Sequence, residues 1–357
     1  IDNNIRARIN VTGLVDDPTT LLLTRFASTT ANTVDYMIVE FVSGVSVVSG
    51  LSTIAETGSA SLTKNILLPQ SFDLARSFPT VTMRSFAPTN NTFNTDERNV
   101  FTAQLTSPTN LRLGRSEAAG GYNVDLAYQV IGFDLAETDA AKVDVTVQKS
   151  SDTLPPIIDG TLDAARGEVS DSGTVLTASL ATAVDLGKSW LLFTVMPATA
   201  VNGDEELYAI DGVLSNCTAT CDRLTFTRAK GNTAVTIVWH VIAFNDQVYS
   251  QNNRQAIGTP ATAGAQTTNV TLSSTPALIL PRSIATASTS LVTAGVVTTQ
   301  GVDEMTVQAQ LTTPTNLALV RQTTTTTSPN ADINTAWFAM QFPPLHLKTP
   351  NGGESWK

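Results

Sequence analysis

Residues 103–115 read AQLTSPTNLRLGR and residues 309–321 read AQLTTPTNLALVR. In both, apolar residues recur at every second position on either side of a Ser/Thr-Pro-Thr-Asn segment. A period of two broken by turn-forming Pro and Asn predicts a β-hairpin. Two looser copies follow the same plan, INVTGLVDDPTTLLLTR at 9–25 and DGVLSNCTATCDRLTFTR at 211–228. Each of the four ends on an arginine: Arg25, Arg115, Arg228 and Arg321.

Sixteen to twenty-one residues after each arginine stands a phenylalanine: Phe41, Phe133, Phe244 and Phe342. Five places before each of these is Tyr36, Tyr128, Trp239 or Trp337, in the runs VDYMIVEF, VDLAYQVIGF, VTIVWHVIAF and INTAWFAMQF. Apolar residues five and three places before the Phe share one face of an extended strand, taken as its core face. The Tyr or Trp is then a packing anchor. A third landmark, DLARSF at 73–78, returns as DLGKSW at 185–190 and more weakly as LPRSI at 280–284, the first two each followed by another β-type run.

The arginines are 90, 113 and 93 residues apart, spacings that suit immunoglobulin-sized β-sandwiches of roughly a hundred residues. No long window carries apolar residues at helical spacing with caps. The expected fold is therefore all-β, a tandem array of Ig-like sandwich modules. The boundaries expected are 1–121, with an orphan hairpin at 5–26; 122–231, with a long insertion at 137–171; 232–345; and 346–357 as a linker into a further Ig-like domain. The insertion is expected to hold an extra hairpin or a protruding loop.

Four hairpin-and-strand copies bracket three copies of the Arg-Ser landmark, so the array starts and stops inside its repeat. Two explanations compete: a piece cut from a longer chain, or ends that complete a sheet with a neighbouring copy by strand addition. The final residues bear on this. PNGGESW at 350–356 resembles the opening motif of Ig-like domains in large secreted and cell-surface proteins of bacteria and archaea. The LTSPTNLRL hairpins and YQVIGF or YMIVEF strands are similar to repeat arrays in long secreted microbial proteins. That resemblance implies a surface or extracellular setting and carries over no catalytic residue.

Composition narrows the partners. Only 15% of residues are charged, against about a quarter in an average soluble domain, and Thr, Ser and Asn take up the difference. A net charge of −10 argues against a nucleic-acid partner, since phosphate binding needs clustered Lys and Arg. No apolar run reaches the length of a membrane helix, so membrane insertion is not expected. Cys217 and Cys221, the only cysteines, sit across a hairpin tip and are expected to form a disulfide, as an oxidising compartment allows. Asn10, Asn90, Asn216 and Asn269 open N-x-Thr sequons and are candidate glycosylation sites in a host with that machinery.

Residues able to carry chemistry are few. Of two histidines, His240 lies within an aromatic strand and His346 in PPLHLKTP. No nucleophile elbow, zinc-protease motif, phosphate loop or dinucleotide fingerprint accompanies them. Asp16 with Asp17, Asp204 with Glu205 and Glu206, and Asp303 with Glu304 read as solvated acidic turns before paired-carboxylate or calcium sites. The repeat arginines are placed to pair with those turns or to lay their stems over the Tyr/Trp face. The expectation is a non-enzymatic extracellular structural protein with no cofactor: a filament, stalk or sheath component that self-associates or adjoins further domains of a longer chain. An adhesin or carbohydrate-binding array, with glycans as ligands and exposed aromatics as platform, is the alternative, and a viral fibre the next.

Overall fold

In a computed structural model of the chain, the residues described are 12–17, 20–24, 44–54, 63–85, 101–115, 123–133, 145–154, 174–197, 209–228, 235–244, 248–258, 264–274, 276–280, 283–291, 307–323 and 332–342. Apart from a 3-10 turn at Leu186–Lys188, their regular structure is β-strand. A hairpin of β1 (Thr12–Asp17) and β2 (Thr20–Thr24) comes first. A first set of six strands follows: β3 (Val45–Ile54), β4 (Thr63–Leu67), β5 (Ser77–Ser85), β6 (Phe101–Ser107), β7 (Asn110–Arg115) and β8 (Val124–Phe133). The second set is β9 (Val145–Leu154), β10 (Thr174–Asp185), β11 (Ser189–Pro197), β12 (Asp211–Cys217), β13 (Thr220–Arg228) and β14 (Val235–Phe244). The third is β15 (Tyr249–Ile257), β16 (Gly264–Thr271), β17 (Ser283–Leu291), β18 (Val307–Thr313), β19 (Asn316–Thr323) and β20 (Ile333–Gln341).

All three sets have one topology. The sixth strand lies between the first and third, giving sheets β3-β8-β5, β9-β14-β11 and β15-β20-β17. The fifth lies between the second and fourth, giving β4-β7-β6, β10-β13-β12 and β16-β19-β18. Every pair is antiparallel. In the constant-type immunoglobulin order, strand F is flanked by C and by G, which follows it in sequence. Here the first strand of each set takes that second place, so the fold is sandwich-type with its edge strand supplied from the N-terminal side.

The expected hairpins and aromatic strands are present at β6–β7, β12–β13, β18–β19, β8, β14 and β20, while the grouping differs. All pairings other than β1–β2 fall within 45–133, 145–244 or 249–341, and the expected cuts at 121/122 and 231/232 separate β8 and β14 from their sheet partners. The aromatic strand closes a set. Hairpin and aromatic strand are neighbours in sequence, yet they join different sheets, a choice made by long-range pairing. Part of the expected insertion at 137–171 is regular sheet. It contains β9, the first strand of the second set, paired along its whole length with β14.

Each set buries its core between its two sheets. In the first, Leu111 and Leu113 of β7 meet Leu126 and Val130 of β8, with Phe72 beneath them. In the third, Leu317 and Leu319 of β19 face Trp337 and Ala339 of β20. The Pro-containing turns are held alike: Leu68 and Phe72 donate backbone N–H groups to Thr109 O and Pro108 O at 2.8 Å, and Leu272 and Leu278 donate to Thr315 O at 2.8 Å and Pro314 O at 3.1 Å. Asn110 Nδ2 donates to Thr106 Oγ1 at 2.6 Å and Asn65 Oδ1 at 3.2 Å, and Asn316 Nδ2 repeats this with Thr312 Oγ1 at 2.6 Å and Asn269 Oδ1 at 3.1 Å.

Candidate functional site

The aromatic strands do not alternate between buried and exposed. β14 and β20 are buried at nearly every position, which a strand with one solvent face cannot be. The second face is covered by the preceding set. Strand β6 lies against β11 and β14, β12 lies against β17 and β20, and β1 lies against β3, β5 and β8. In the first two cases the fourth strand of one set seats on the 1-6-3 sheet of the next, and β1 of the N-terminal hairpin takes the same place on the first set. This recurring seam is where the molecule's distinctive chemistry gathers.

Register identifies the corresponding residues in each seam. In the first, Ala103 N donates to Thr194 Oγ1 at 3.4 Å, and Thr102 Oγ1 lies 4.0 Å from Met196 Sδ. In the second, Gly212 N donates to Ser288 Oγ at 3.3 Å, and Ser290 Oγ donates to Asp211 Oδ2. Thr194 and Ser288 correspond, as do Met196 and Ser290, by their partners on β14 and β20. Thr102 and Asp211 correspond by their partners on β7 and β13. A β-carbon on Gly212 would come within 2.8 Å of Phe193 Cε1 and 2.9 Å of Phe226 Cδ1, so packing against these two rings of its own set requires glycine.

Asp211 is fully buried and pairs across the second seam with Arg254 of β15, which donates to its Oδ1 and also to Thr227 Oγ1 at 3.0 Å. Burial pushes the Asp211 carboxyl above the usual carboxylate range, opposed by the adjacent Arg254 charge and by hydrogen bonds from Ser290 and Arg254. Two further bonds close this seam: Ser250 Oγ to Ser189 O at 3.0 Å and Asn252 Nδ2 to Leu186 O at 3.1 Å. Trp190 Nε1 adds a bond to Thr286 Oγ1 at 3.0 Å. Asp211 and Arg254 were not singled out from the sequence. The available signal was the acid opening DGVL, at the position filled by Thr102 and Gln308 in the sister hairpins.

The repeat phenylalanines form the apolar part of both seams. Phe133 meets Phe244 edge-on at 6.0 Å, and Phe244 meets Phe342 edge-on at 5.8 Å. Phe78 stacks on Phe133 and meets Trp190 edge-on at 6.1 Å. One apolar cluster thereby runs from Phe78 and Phe133 of the first set through the second to Phe338, Met340 and Phe342 of the third. Such aromatic pairs contribute about 0.5–1.5 kcal/mol beyond area burial.

The remaining expected residues divide cleanly. Trp239 and Trp337 are buried core anchors, and Tyr128 is half-buried, its hydroxyl pKa raised by burial. Tyr36 lies outside the described residues. Arg115, Arg228 and Arg321 are all buried, and burial lowers Arg228 to about 10, leaving it charged at neutral pH. His240 is buried within β14, and His346 lies outside the described residues. So do the acidic turns at 204–206 and 303–304, together with the side chains of Asp16 and Asp17. Among the described residues no three His, Cys, Asp or Glu side chains gather as a metal site.

Cys217 and Cys221 are disulfide-bonded, Cα–Cα 4.1 Å, as the directly paired residues at the tip of β12–β13. The bond stands where the sister hairpins have Pro-Thr-Asn. Asn216, in the left-handed region at φ 54°, is exposed and donates to Asp222 Oδ1 at 2.6 Å. Asn269 is exposed on β16, whereas Asn10 and Asn90 lie outside the described residues. No protein-family model matches the chain, and no curated protein matches its sequence.

Proposed function

We propose that this chain is a non-enzymatic extracellular structural protein, a tandem array of β-sandwich modules that forms part of a surface filament, stalk or sheath. The observation that carries the reading is the repeated seam: three sets of one topology are joined at corresponding residues, with a continuous apolar cluster through both joints. Such joints resist bending, as an element that spans or bears load requires. A disulfide at an exposed hairpin tip agrees with an oxidising setting, and the low charge and Thr-rich surface agree with it too. The modules proposed are 45–133, 145–244 and 249–341.

An adhesin reading needs a flat platform of exposed aromatics. Trp190, Trp239 and Trp337 are spent inside the cores and seams, which favours the structural reading. The test is light scattering of the purified chain across concentration, with electron microscopy of the same samples. Concentration-dependent elongated particles are expected. A protein that stays monomeric at high concentration in native salt, with or without calcium, would sink the assembly part of the proposal.

A further inference from the structure

In every set the chain enters and leaves at the same place. Register pairs the first residue of the first strand with the end of the sixth: Val45 with Phe133, Val145 with Phe244 and Tyr249 with Gln341. The third strand begins there too, with Ser77 opposite Gly132, Ser189 opposite Ala243 and Ser283 opposite Gln341. Val45 and Val248 on the way in, and Phe133, Phe244 and Phe342 on the way out, all pack in the one apolar cluster that runs through the seams. Each set therefore hangs from this cluster by both of its ends. Successive exit rings are only 6.0 and 5.8 Å apart, and each such step stores a whole set, 145–244 or 249–341.

Ladder hydrogen bonds between antiparallel strands lie across the strand axis. Tension at opposite ends of two paired strands loads all of these bonds together, whereas tension at the same end loads the nearest pair and opens the rest in turn. The second arrangement holds for β3 with β8, β9 with β14 and β15 with β20. We infer that the chain is an extensible tether: under tension along the backbone its sets peel open one at a time from their phenylalanine ends, each releasing its stored length. This rests on the structural reading above and adds how such an element answers load. Opening residues 45–133 replaces one interstrand spacing of about 5 Å with about 30 nm of extended chain, at about 3.3–3.6 Å per residue. The phenylalanine cluster is the clasp, because its rings sit where the load enters and must part before the ladders open.

Optical-tweezers extension of the full chain tests this, held by tags at its two ends or through the variant Ser46→Cys with Asn123→Cys. Both residues are exposed, where substitution disturbs little. The native cysteines are paired, so only the introduced thiols take handles. They pull β3 and β8 from opposite ends and load that ladder all at once. End-to-end extension is expected to show separate steps of about 30 nm, at forces at least about two-fold below the opening of the first set through the cysteine pair. Equal or higher force end to end overturns the inference, as does a single event in which all sets open together. Phe244→Ala, which empties the middle of the clasp, is expected to lower the end-to-end force further, and an unchanged force overturns the clasp. A chain that stays monomeric in light scattering yet opens in these steps removes filament assembly and leaves the tether standing. Assembly without such steps does the reverse.

Discussion

The seam between the first and second sets and the seam between the second and third share a backbone geometry and differ in chemistry. In both, a backbone N–H of the fourth strand reaches a Thr or Ser hydroxyl on the third strand of the next set, and two repeat phenylalanines meet edge-on. Next to that common frame, the first seam sets Thr102 against Met196, and the second sets buried Asp211 against Ser290 and Arg254. Docking is thus specified by shape and main-chain register, and the side chains beside it are free to diverge. The polar lock fixes which surfaces suit each other: an Asp buried here without its Arg would be costly, so the second seam admits its own partner and penalises the others.

The largest effect should come from the residue common to both seams. Phe244→Ala removes an aromatic that touches Phe133 and Phe342 together, and a loss of about 3–5 kcal/mol is expected for a buried Phe. Denaturant unfolding should show it, with the transition splitting in two as the sets decouple. A single transition with a loss below about 1 kcal/mol would mean that the seams do not couple the sets.

Arg254→Ala should cost about 2–3 kcal/mol, less than a fully buried pair because the guanidinium is partly exposed, since it leaves Asp211 buried without its cation. Thr102→Ala at the corresponding place in the first seam should cost under about 1 kcal/mol. Similar losses at the two sites would erase the contrast drawn between the seams. A double-mutant cycle of Asp211→Asn with Arg254→Ala isolates the pair term.

Titration separates them further. The folded Asp211 carboxyl sits above its unfolded value, so the folded state holds its proton more tightly. The associated stability is fully present below about pH 4 and is lost as pH rises through the raised folded value. Asp211→Asn should remove this decline, seen as a smaller loss of stability between pH 4 and 7 than in the wild type. An unchanged pH profile would show that the Arg254 charge and the hydrogen bonds to Asp211 fully offset the effect of its burial.

The hairpins provide a smaller comparison. Cys217→Ser with Cys221→Ser opens a short loop, for which chain entropy gives about 2 kcal/mol. Asn110→Ala and Asn316→Ala remove the polar clasp of the sister turns and should each cost about 1 kcal/mol. Thermal unfolding of these variants would reverse the ordering if the covalent tie were redundant with strand pairing.

Much of the strand inventory was legible because it is local. Alternating Leu residues around Pro-Thr-Asn state a hairpin, and the cysteines of NCTATC state a tip that brings paired positions together. The seam site was less so. Asp211 and Arg254 are 43 residues apart and join different sets, and only Asp211 lies in a repeated motif, at a position its sister hairpins fill with Thr102 and Gln308. β9 was concealed for a similar reason: VDVTVQ alternates, but the run lapses into KSSDTL, and the strand is carried to its full length by β14 alongside.

The sequence by itself determined the period, the hairpins, the aromatic anchors and the cysteine pair, because turn chemistry and a two-residue alternation act over a few bonds. Tertiary structure alone decided that the aromatic strand closes a set, that its sheet is covered on both faces, and that an acid at the head of β12 becomes a buried lock. Those outcomes depend on which surfaces meet after distant strands have paired, and burial of a second face is a property of the assembled stack that no single strand encodes.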